Sequence, residues 1–166
     1  YLFLESGVGG AVLLNGAPYN GANQRSGEFG HMCVMPKGRP CKCGQLGCLE
    51  AYVTTSRITD DLGGSAETFF EGLDRGNAEY QALWQEILEY LSIGINNIRM
   101  TLDCDVVLGG YITQFMKPWL PKLRQKTAAL NPFEDKADYI TLCRYPKRAG
   151  TLGAALHYIK GFVESI

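Results

Sequence analysis

The chain has 166 residues, of which 46% are hydrophobic, and its 16 basic and 17 acidic residues give a formal net charge of −1. This length and composition predict one globular domain with a sizeable core. The balanced charge, without a Lys/Arg run, argues against a segment that binds nucleic acid by itself. We also expect no membrane-spanning segment and no signal peptide, because no apolar run is long enough.

Apolar runs and their periodicity predict an α/β order of elements. In chain order, we expect strands at residues 1–5, 10–15, 31–35, 105–108 and 139–143. Helices are expected at residues 49–62, 66–73, 77–102, 112–130 and 151–166, with the 112–130 region opened or kinked by Pro118 and Pro121. The 77–102 helix has one apolar stripe, which predicts a buried face. Because residue 1 is not Met and the chain starts on a strand-like run, we expect a fragment of a longer protein.

Turn and cap signals separate these elements. Residues 6–9 form a glycine-rich turn, and Asn15-Gly16 is a hairpin signal. Ser65 is a candidate N-cap for the helix at 66–73, although Thr68 stands where a capping box has Glu or Gln.

The most specific pattern is a cluster of metal-ligand residues. His31, Cys41, Cys43 and Cys48 lie within eighteen residues, and one imidazole with three thiols is a ligand set for four-coordinate zinc. Four protein ligands complete the tetrahedron and leave no position for an activated water, so we expect a structural rather than a catalytic zinc.

Three disulfides are the alternative for six cysteines. Cys41 and Cys43 are separated by one residue, which makes them awkward to bridge. Cys33, Cys104 and Cys143 are scattered, and Cys33 and Cys143 fall in apolar runs where a free thiol behaves as a small hydrophobe. A reduced, cytoplasmic protein is therefore the favoured interpretation.

The run G-E-x-G-H, followed after nine residues by C-x-C-G-x-x-G-C-L-E, resembles the ROK family of bacterial sugar-responsive repressors and sugar kinases. The glycine turn before it and the V-V-L-G-G run after it come in the expected order. This resemblance implies a single domain over residues 1–166. It would be the C-terminal, ribonuclease-H-like lobe of the actin/hexokinase superfamily, a mixed sheet flanked by helices with a zinc-binding loop. It also implies a missing N-terminal lobe and a homo-oligomer.

The resemblance further implies a role for each motif residue. His31, Cys41, Cys43 and Cys48 match zinc ligands, and Glu28, His31 and Glu50 match residues that bind a sugar. Read without it, Glu28 is a solvated loop residue, and Glu50 is an acidic residue favourably placed at a helix N-terminus.

The glycine turns correspond to the nucleotide site of family kinases. Ser6, Gly7 and Gly9 match a turn that holds ATP phosphates through backbone N–H groups, and Gly109 and Gly110 match a turn near the adenosine. Two departures weaken this site. Glu5 puts a carboxylate beside the phosphates, a repulsive arrangement at low dielectric, and Tyr111 replaces a third glycine.

No residue of the chain is expected to be catalytic. The Asn-Asp pair that supplies the general base of family kinases is absent, as is the helix-turn-helix through which family repressors would contact DNA. On Glu5 and Tyr111 the sequence favours the sugar-sensing effector domain of a transcriptional regulator, which would not be an enzyme. The alternative is the C-terminal lobe of a glucokinase or N-acetyl-hexosamine kinase that uses ATP and Mg²⁺.

Overall fold

A computed structural model describes residues 1–163, apart from the side chains of residues 157 and 160–163. Its main sheet has four strands in the order β2-β1-β5-β6, formed by β1 (Leu2–Leu4), β2 (Val8–Gly10), β5 (Val106–Gly109) and β6 (Ile140–Leu142). Strand β1 pairs antiparallel with β2 and parallel with β5, and β5 pairs parallel with β6. The sheet is therefore mixed, as the sequence predicts.

A second, two-stranded sheet consists of β3 (Val12–Leu14) and β4 (Ala17–Tyr19). Asn15 and Gly16 form its two-residue turn with φ values of 54° and 78°. Positive φ at both turn positions is the geometry that Asn-Gly favours in hairpins, so the hairpin signal is confirmed. The strand expected at residues 10–15 is instead divided between β2 and β3 at Ala11. The glycine-rich turn expected at residues 6–9 lies at residues 5–7, because Val8 and Gly9 pair with β1 as part of β2.

The described part of the chain contains six α-helices. They are α1 (Glu50–Val53), α2 (Thr55–Leu62), α3 (Ala66–Asp74), α4 (Ala78–Leu102), α5 (Leu120–Ala128) and α6 (Ala149–Val163). Among these residues no helix is both long enough and apolar enough to cross a lipid bilayer.

Helix α4 supplies much of the core. Its apolar stripe is buried as predicted, through Leu83, Ile87, Leu88, Leu91, Ile95 and Ile98. Leu102, at the end of that stripe, is 38% exposed instead. The stripe packs with Leu2, Leu4 and Leu108 from the sheet in one hydrophobic cluster, as expected for an amphipathic helix against a sheet.

The helix caps follow local sequence. The Ser65 hydroxyl accepts the Thr68 N–H, which confirms the predicted cap, and Asn77 Oδ1 accepts the Tyr80 N–H at the start of α4. The predicted helix at 49–62 is interrupted at Thr54, which is extended and caps α2 through the Arg57 N–H. A β-branched residue with a capping hydroxyl favours this break.

Two further expectations are wrong or only partly met. Residues 31–35 are not a strand; a 3₁₀ turn at Phe29–His31 leads into a ribbon, in which this segment contributes one isolated bridge, Cys33 to Cys48. The region 112–130 begins with the 3₁₀ segments Tyr111–Phe115 and Lys117–Trp119 and becomes α-helical at Leu120. Pro118 explains part of that difference, because it cannot donate a backbone hydrogen bond. Residues 164–166 of the last predicted helix lie outside the described residues.

The crossing of α1 and α4 depends on one glycine. A Cβ at Gly94 would lie 2.7 and 2.9 Å from the Leu49 δ-carbons, and Leu49 is fully buried. Because the core is close-packed, Leu49 has little room to move away. Gly94 thus fixes the approach of Leu49, which immediately precedes Glu50.

We expect Gly94→Ala to lower the free energy of unfolding by about 1–3 kcal/mol through overpacking. Gly153→Ala is the matched control, since Gly153 lies in helix α6 with nothing within 4 Å of an added Cβ. That change should be neutral or stabilising by up to about 1 kcal/mol. Urea unfolding measures both, and equal effects for the two variants would contradict the close packing at Gly94.

Candidate functional site

The candidate metal loop is a short β-ribbon. It spans residues 33–48, with antiparallel bridges from Cys33 to Cys48 and from Pro40 to Leu46. The Val34 N–H donates to the Gly47 carbonyl (2.8 Å), and the Gly47 N–H donates to the Arg39 carbonyl (2.8 Å). These bonds satisfy the backbone of a segment with little regular secondary structure.

The ribbon brings the four predicted ligands together. The ligand atoms of His31, Cys41, Cys43 and Cys48 all lie within 4.8 Å of one another. His31 Nδ1 is 3.9 Å from Cys41 Sγ, and Cys43 Sγ is 3.7 Å from Cys48 Sγ. All six cysteines lie in the described residues and are free thiols, so the disulfide alternative is not supported. The cluster could hold one metal ion.

The thiols differ in environment. Cys41 and Cys48 are buried, whereas Cys43 is exposed. Burial raises the pKa of Cys41 and raises that of Cys48 to about 12, while hydrogen bonding to the Gln45 backbone lowers the pKa of Cys43. Buried thiols of this kind become thiolates when a cation compensates their charge. The set is thus chemically suited to a thiolate-binding metal.

Two glycines allow the backbone of the ribbon and of the preceding turn to approach neighbouring backbone closely. Gly47 has φ +81°, and a Cβ there would lie 1.8 Å from the Met35 carbonyl oxygen. At Gly30, between Glu28 and His31, a Cβ would lie 2.3 Å from the Val8 carbonyl oxygen. The G-E-F-G-H turn therefore lies directly on β2, which fixes the direction from which His31 enters the cluster.

Glu50 connects the cluster to the glycine-rich turn. Its Oε1 lies 3.8 Å from Cys41 Sγ, and its Oε2 accepts the Val8 N–H at 2.9 Å. Glu50 is half-buried at the first position of α1, where a carboxylate also favours the helix dipole. One carboxylate thus contacts both a candidate metal ligand and Val8, the first residue of β2, which directly follows the turn at residues 5–7.

Glu28 and His31 are three residues apart at the two ends of a short turn, and both are exposed. The His31 N–H donates to the Glu28 carbonyl at 3.1 Å within the 3₁₀ turn, so the backbone holds the two residues in a fixed relation. An exposed carboxylate and an imidazole whose Nδ1 faces the cluster leave polar groups available to a ligand. Cys33, expected as a small buried hydrophobe, is exposed instead.

The two glycine turns lie at the same edge of the sheet. Strands β1 and β5 are parallel neighbours, and the turns at 5–7 and 110–111 follow their carboxyl ends. Gly110 has φ +92°, and a Cβ there would lie 2.2 Å from the Leu4 carbonyl oxygen. The Lys147 Nζ lies 5.8 Å above the Tyr111 ring. Ligands of open α/β sheets bind at this edge.

Sequence reasoning missed the ion pairs that hold the ribbon to the helices. Arg39 of the ribbon pairs with Asp61 of α2 at 3.0 Å, and the Arg39 N–H donates to the Tyr52 hydroxyl at 2.7 Å. Arg57, which is 7% exposed, pairs with Asp61 (2.5 Å) and with Glu86 of α4 (2.9 Å). Only the Arg57–Asp61 spacing of four residues could have suggested any of these contacts.

The mixed sheet and its helices form a hexokinase-like α/β fold. The ROK family model matches residues 1–160, and the chain belongs to the ROK family. An N-acetylmannosamine kinase from Salmonella typhimurium is 30% identical over 164 residues, which is 94% of this chain and 55% of that protein. The chain therefore spans about half the length of the curated relatives it matches.

Solved structures give the same fold. A ROK hexokinase from Thermus thermophilus aligns with a TM-score of 0.78 and 28% identity over 96% of this chain and 56% of its own. A ROK transcriptional regulator, a homologue of the E. coli MLC protein, aligns with a TM-score of 0.70 and 21% identity, over 85% of this chain and 40% of its own. The hexokinase and the regulator thus both have the fold of this chain.

We expect Gly47→Ala to destabilise the protein by about 3 kcal/mol or more, since it adds a steric clash to an unfavourable φ. Gly44→Ala is the control, because Gly44 has φ +88° but nothing within 4 Å of a Cβ. It should cost only about 1–2 kcal/mol. Chemical denaturation distinguishes them, and similar losses would contradict the tight contact with Met35.

Asp61 predicts an acid-dependent contribution to stability. Burial raises its pKa, but hydrogen bonding to Arg57 and the charges of Arg57 and Arg39 lower it more, so the net shift is downward. Because the pKa of Asp61 is lowered in the folded state, its ionised carboxylate stabilises the fold at pH values above the ordinary aspartate pKa of about 3.9. This stabilisation is lost as the pH falls from that value through the lower pKa of the folded state. Asp61→Asn should cost about 1–3 kcal/mol at pH 6.

The difference in the free energy of unfolding between wild type and Asp61→Asn should shrink as the pH falls from 5 to 3. Denaturant unfolding at each pH measures this difference. Asp60→Asn is the control, because the Asp60 carboxylate is exposed and faces the Thr59 hydroxyl. A constant wild-type-to-Asp61→Asn difference over this range would show that the ion pairs do not stabilise the fold.

Proposed function

We propose that this chain is the C-terminal lobe of an ATP-dependent kinase for a hexose or an N-acetylated hexosamine. The observation that carries the proposal is the 2.9 Å hydrogen bond from the Val8 N–H to Glu50. This contact supports the proposal because it holds a candidate sugar-binding carboxylate at the start of β2, next to the turn that would face nucleotide phosphates. Phosphoryl transfer requires this proximity between acceptor hydroxyl and phosphate.

The relatives support the same choice. The curated relatives that match over 94% of the chain are N-acetylmannosamine kinases, which favours the kinase over the regulator preferred from the sequence. Glu5 and Tyr111 remain the residues that favour a regulator, in which sugar would shift the arrangement of lobes carrying a DNA-binding domain. In such a regulator, this chain would bind sugar through the same residues but would not transfer phosphate.

In the kinase, Glu28, His31 and Glu50 would accept or donate hydrogen bonds to sugar hydroxyls. Ser6, Gly7 and Gly9 would face the phosphates, and Gly109 and Gly110 the adenosine, with Mg²⁺ bound to the nucleotide. The sugar hydroxyl attacks the γ-phosphorus, the bond to the β-phosphate oxygen breaks, and ADP leaves. The base that takes the hydroxyl proton would come from a second lobe.

We propose that the metal is Zn²⁺ and that its role is structural. Three thiols and an imidazole fill a tetrahedral site, and two sulfurs bound to one zinc lie about 3.8 Å apart, close to the 3.7 Å between Cys43 and Cys48. When bound, zinc supplies a fixed connection between the ribbon and His31. The second nitrogen of a metal-bound imidazole needs a partner, which a sugar hydroxyl can provide.

Cys43→Ser should abolish zinc binding, because a hydroxyl is a poor replacement for a thiolate. Cys33→Ser is the control, since Cys33 is an exposed thiol of the same ribbon outside the ligand cluster. Metal analysis after dialysis should find one zinc per chain in wild type and Cys33→Ser and almost none in Cys43→Ser. Full zinc retention by Cys43→Ser would contradict the four-ligand assignment.

The direct test of the proposed function is an ADP-release assay on the full-length protein with ATP–Mg²⁺. Candidate acceptors are N-acetylmannosamine, N-acetylglucosamine and glucose. We expect sugar-dependent ADP release and a phosphorylated sugar by mass spectrometry. Calorimetric sugar binding with no ATP binding and no turnover would reject the kinase and favour the regulator.

A further inference from the structure

Cys33 is a thiol of the ribbon that lies outside the candidate metal cluster. Its side chain is exposed, whereas Cys48, the last candidate ligand, is only 2% exposed. Cys33 Sγ lies beside Gly47, 3.5 Å from the position that a Cβ there would take. Because Gly47 directly precedes Cys48, an accessible thiol lies next to a buried one that is expected to hold the metal.

The backbone places Cys33 and Cys48 directly opposite each other in an antiparallel bridge. On one side of the pair, the Val34 N–H donates to the Gly47 carbonyl (2.8 Å). On the other side, the Leu49 N–H donates to the carbonyl of the residue before Cys33 (2.9 Å). Hydrogen bonds that flank a pair in this way define a non-hydrogen-bonded position, where opposite Cα atoms are about 4.5 Å apart and the two side chains share one face.

A disulfide fits this position. The Cα atoms of disulfide-bonded cysteines are usually about 4.4–6.8 Å apart, and opposite Cα atoms of a non-hydrogen-bonded pair fall within that range. Among the residues that the structure describes, Cys33 and Cys48 are the only cysteines that face each other across a bridge or a strand pair.

The exposed thiol can meet an oxidant that does not reach the buried one. Hydrogen peroxide oxidises the Cys33 sulfur to a sulfenic acid and leaves one water. The Cys48 sulfur then attacks the sulfenic sulfur, the S–S bond forms, and the displaced hydroxide becomes a second water. The proton for this water comes from the Cys48 thiol, or from solvent when Cys48 is an ionised ligand. Two thiols and one peroxide thus give one disulfide and two waters.

We propose that Cys33 and Cys48 form a reversible disulfide that makes the metal site sensitive to peroxide. Oxidation removes one of the four proposed ligands, so the remaining three hold the ion more weakly and it is released. The disulfide still joins the two ends of the ribbon, which allows the site to be reloaded after reduction. Metal release rests on the zinc site proposed above, whereas the disulfide itself requires neither zinc nor kinase activity.

Peptide mapping of the zinc-loaded, full-length protein tests the disulfide. About one equivalent of hydrogen peroxide is added, which limits overoxidation to sulfinic acid. Free thiols are then alkylated with iodoacetamide, and the protein is digested with trypsin without reduction. The expected product joins peptide 26–37, which contains Cys33, to peptide 43–57 through Cys48, with Cys43 alkylated. Fragmentation of the chain between residues 44 and 47 shows which of Cys43 and Cys48 is linked.

Metal release is followed in the same reaction with a chromophoric zinc chelator, after subtraction of the release without peroxide. Wild type should release zinc, and dithiothreitol with added zinc should restore the site. Cys33→Ser should release zinc at least about fivefold more slowly, because access limits the oxidation of buried Cys48. Cys104→Ser is the matched control and should behave as wild type, since Cys104 is a half-buried free thiol outside the cluster.

Equal zinc release by wild type and Cys33→Ser would overturn the inference. A disulfide that joins Cys43 to Cys48, or Cys33 to Cys43, in place of the expected pair would also overturn it. Failure of the proposed function is distinguishable from both results. A reduced protein without zinc would reject the zinc site, and a protein without turnover would reject the kinase, but the disulfide between Cys33 and Cys48 is still expected in both cases. Its absence after peroxide treatment would overturn the inference with or without zinc.

Discussion

The convergence of one imidazole and three thiols on a single point constrains the rest of the site. His31 comes from a 3₁₀ turn lying on β2, and the thiols come from a ribbon that contains little regular structure. Bringing them within 4.8 Å of one another fixes the ends of both segments. Glu50 follows Cys48, the last candidate ligand, by two residues, so its position at the start of α1 depends on the same constraint.

Close packing at two glycines further restricts the positions of α1 and of the turn that carries His31. Gly94 lets Leu49 pack on α4, which places α1, and Gly30 lets the turn that carries His31 rest on β2. Arg39 and Asp61 then join the ribbon to α2. The polar groups of the candidate site are consequently presented by elements with little freedom to move, as a site that must orient a substrate requires.

Features set by local sequence could be predicted, and those set by tertiary contact could not. The ligand spacing, the Asn15-Gly16 turn and the Ser65 cap each depend on residues that are near in the chain. Residues 31–35 have a strand-like pattern, but hydrogen bonds such as that from Leu49 N–H to Met32 O draw them into the ribbon. The Glu50–Val8 contact joins residues 42 positions apart, and no periodicity indicates it.

The central claim is that the metal cluster organises the sugar-binding residues. The most direct test is calorimetric titration of N-acetylmannosamine into three samples of the protein. The first is zinc-loaded, the second is treated with a chelator, and the third is treated with a chelator and then reloaded with zinc. The account predicts sugar binding in the first and third samples and its loss in the second, because His31 and Glu50 are then no longer held in position. Equal affinity in all three samples would contradict the account.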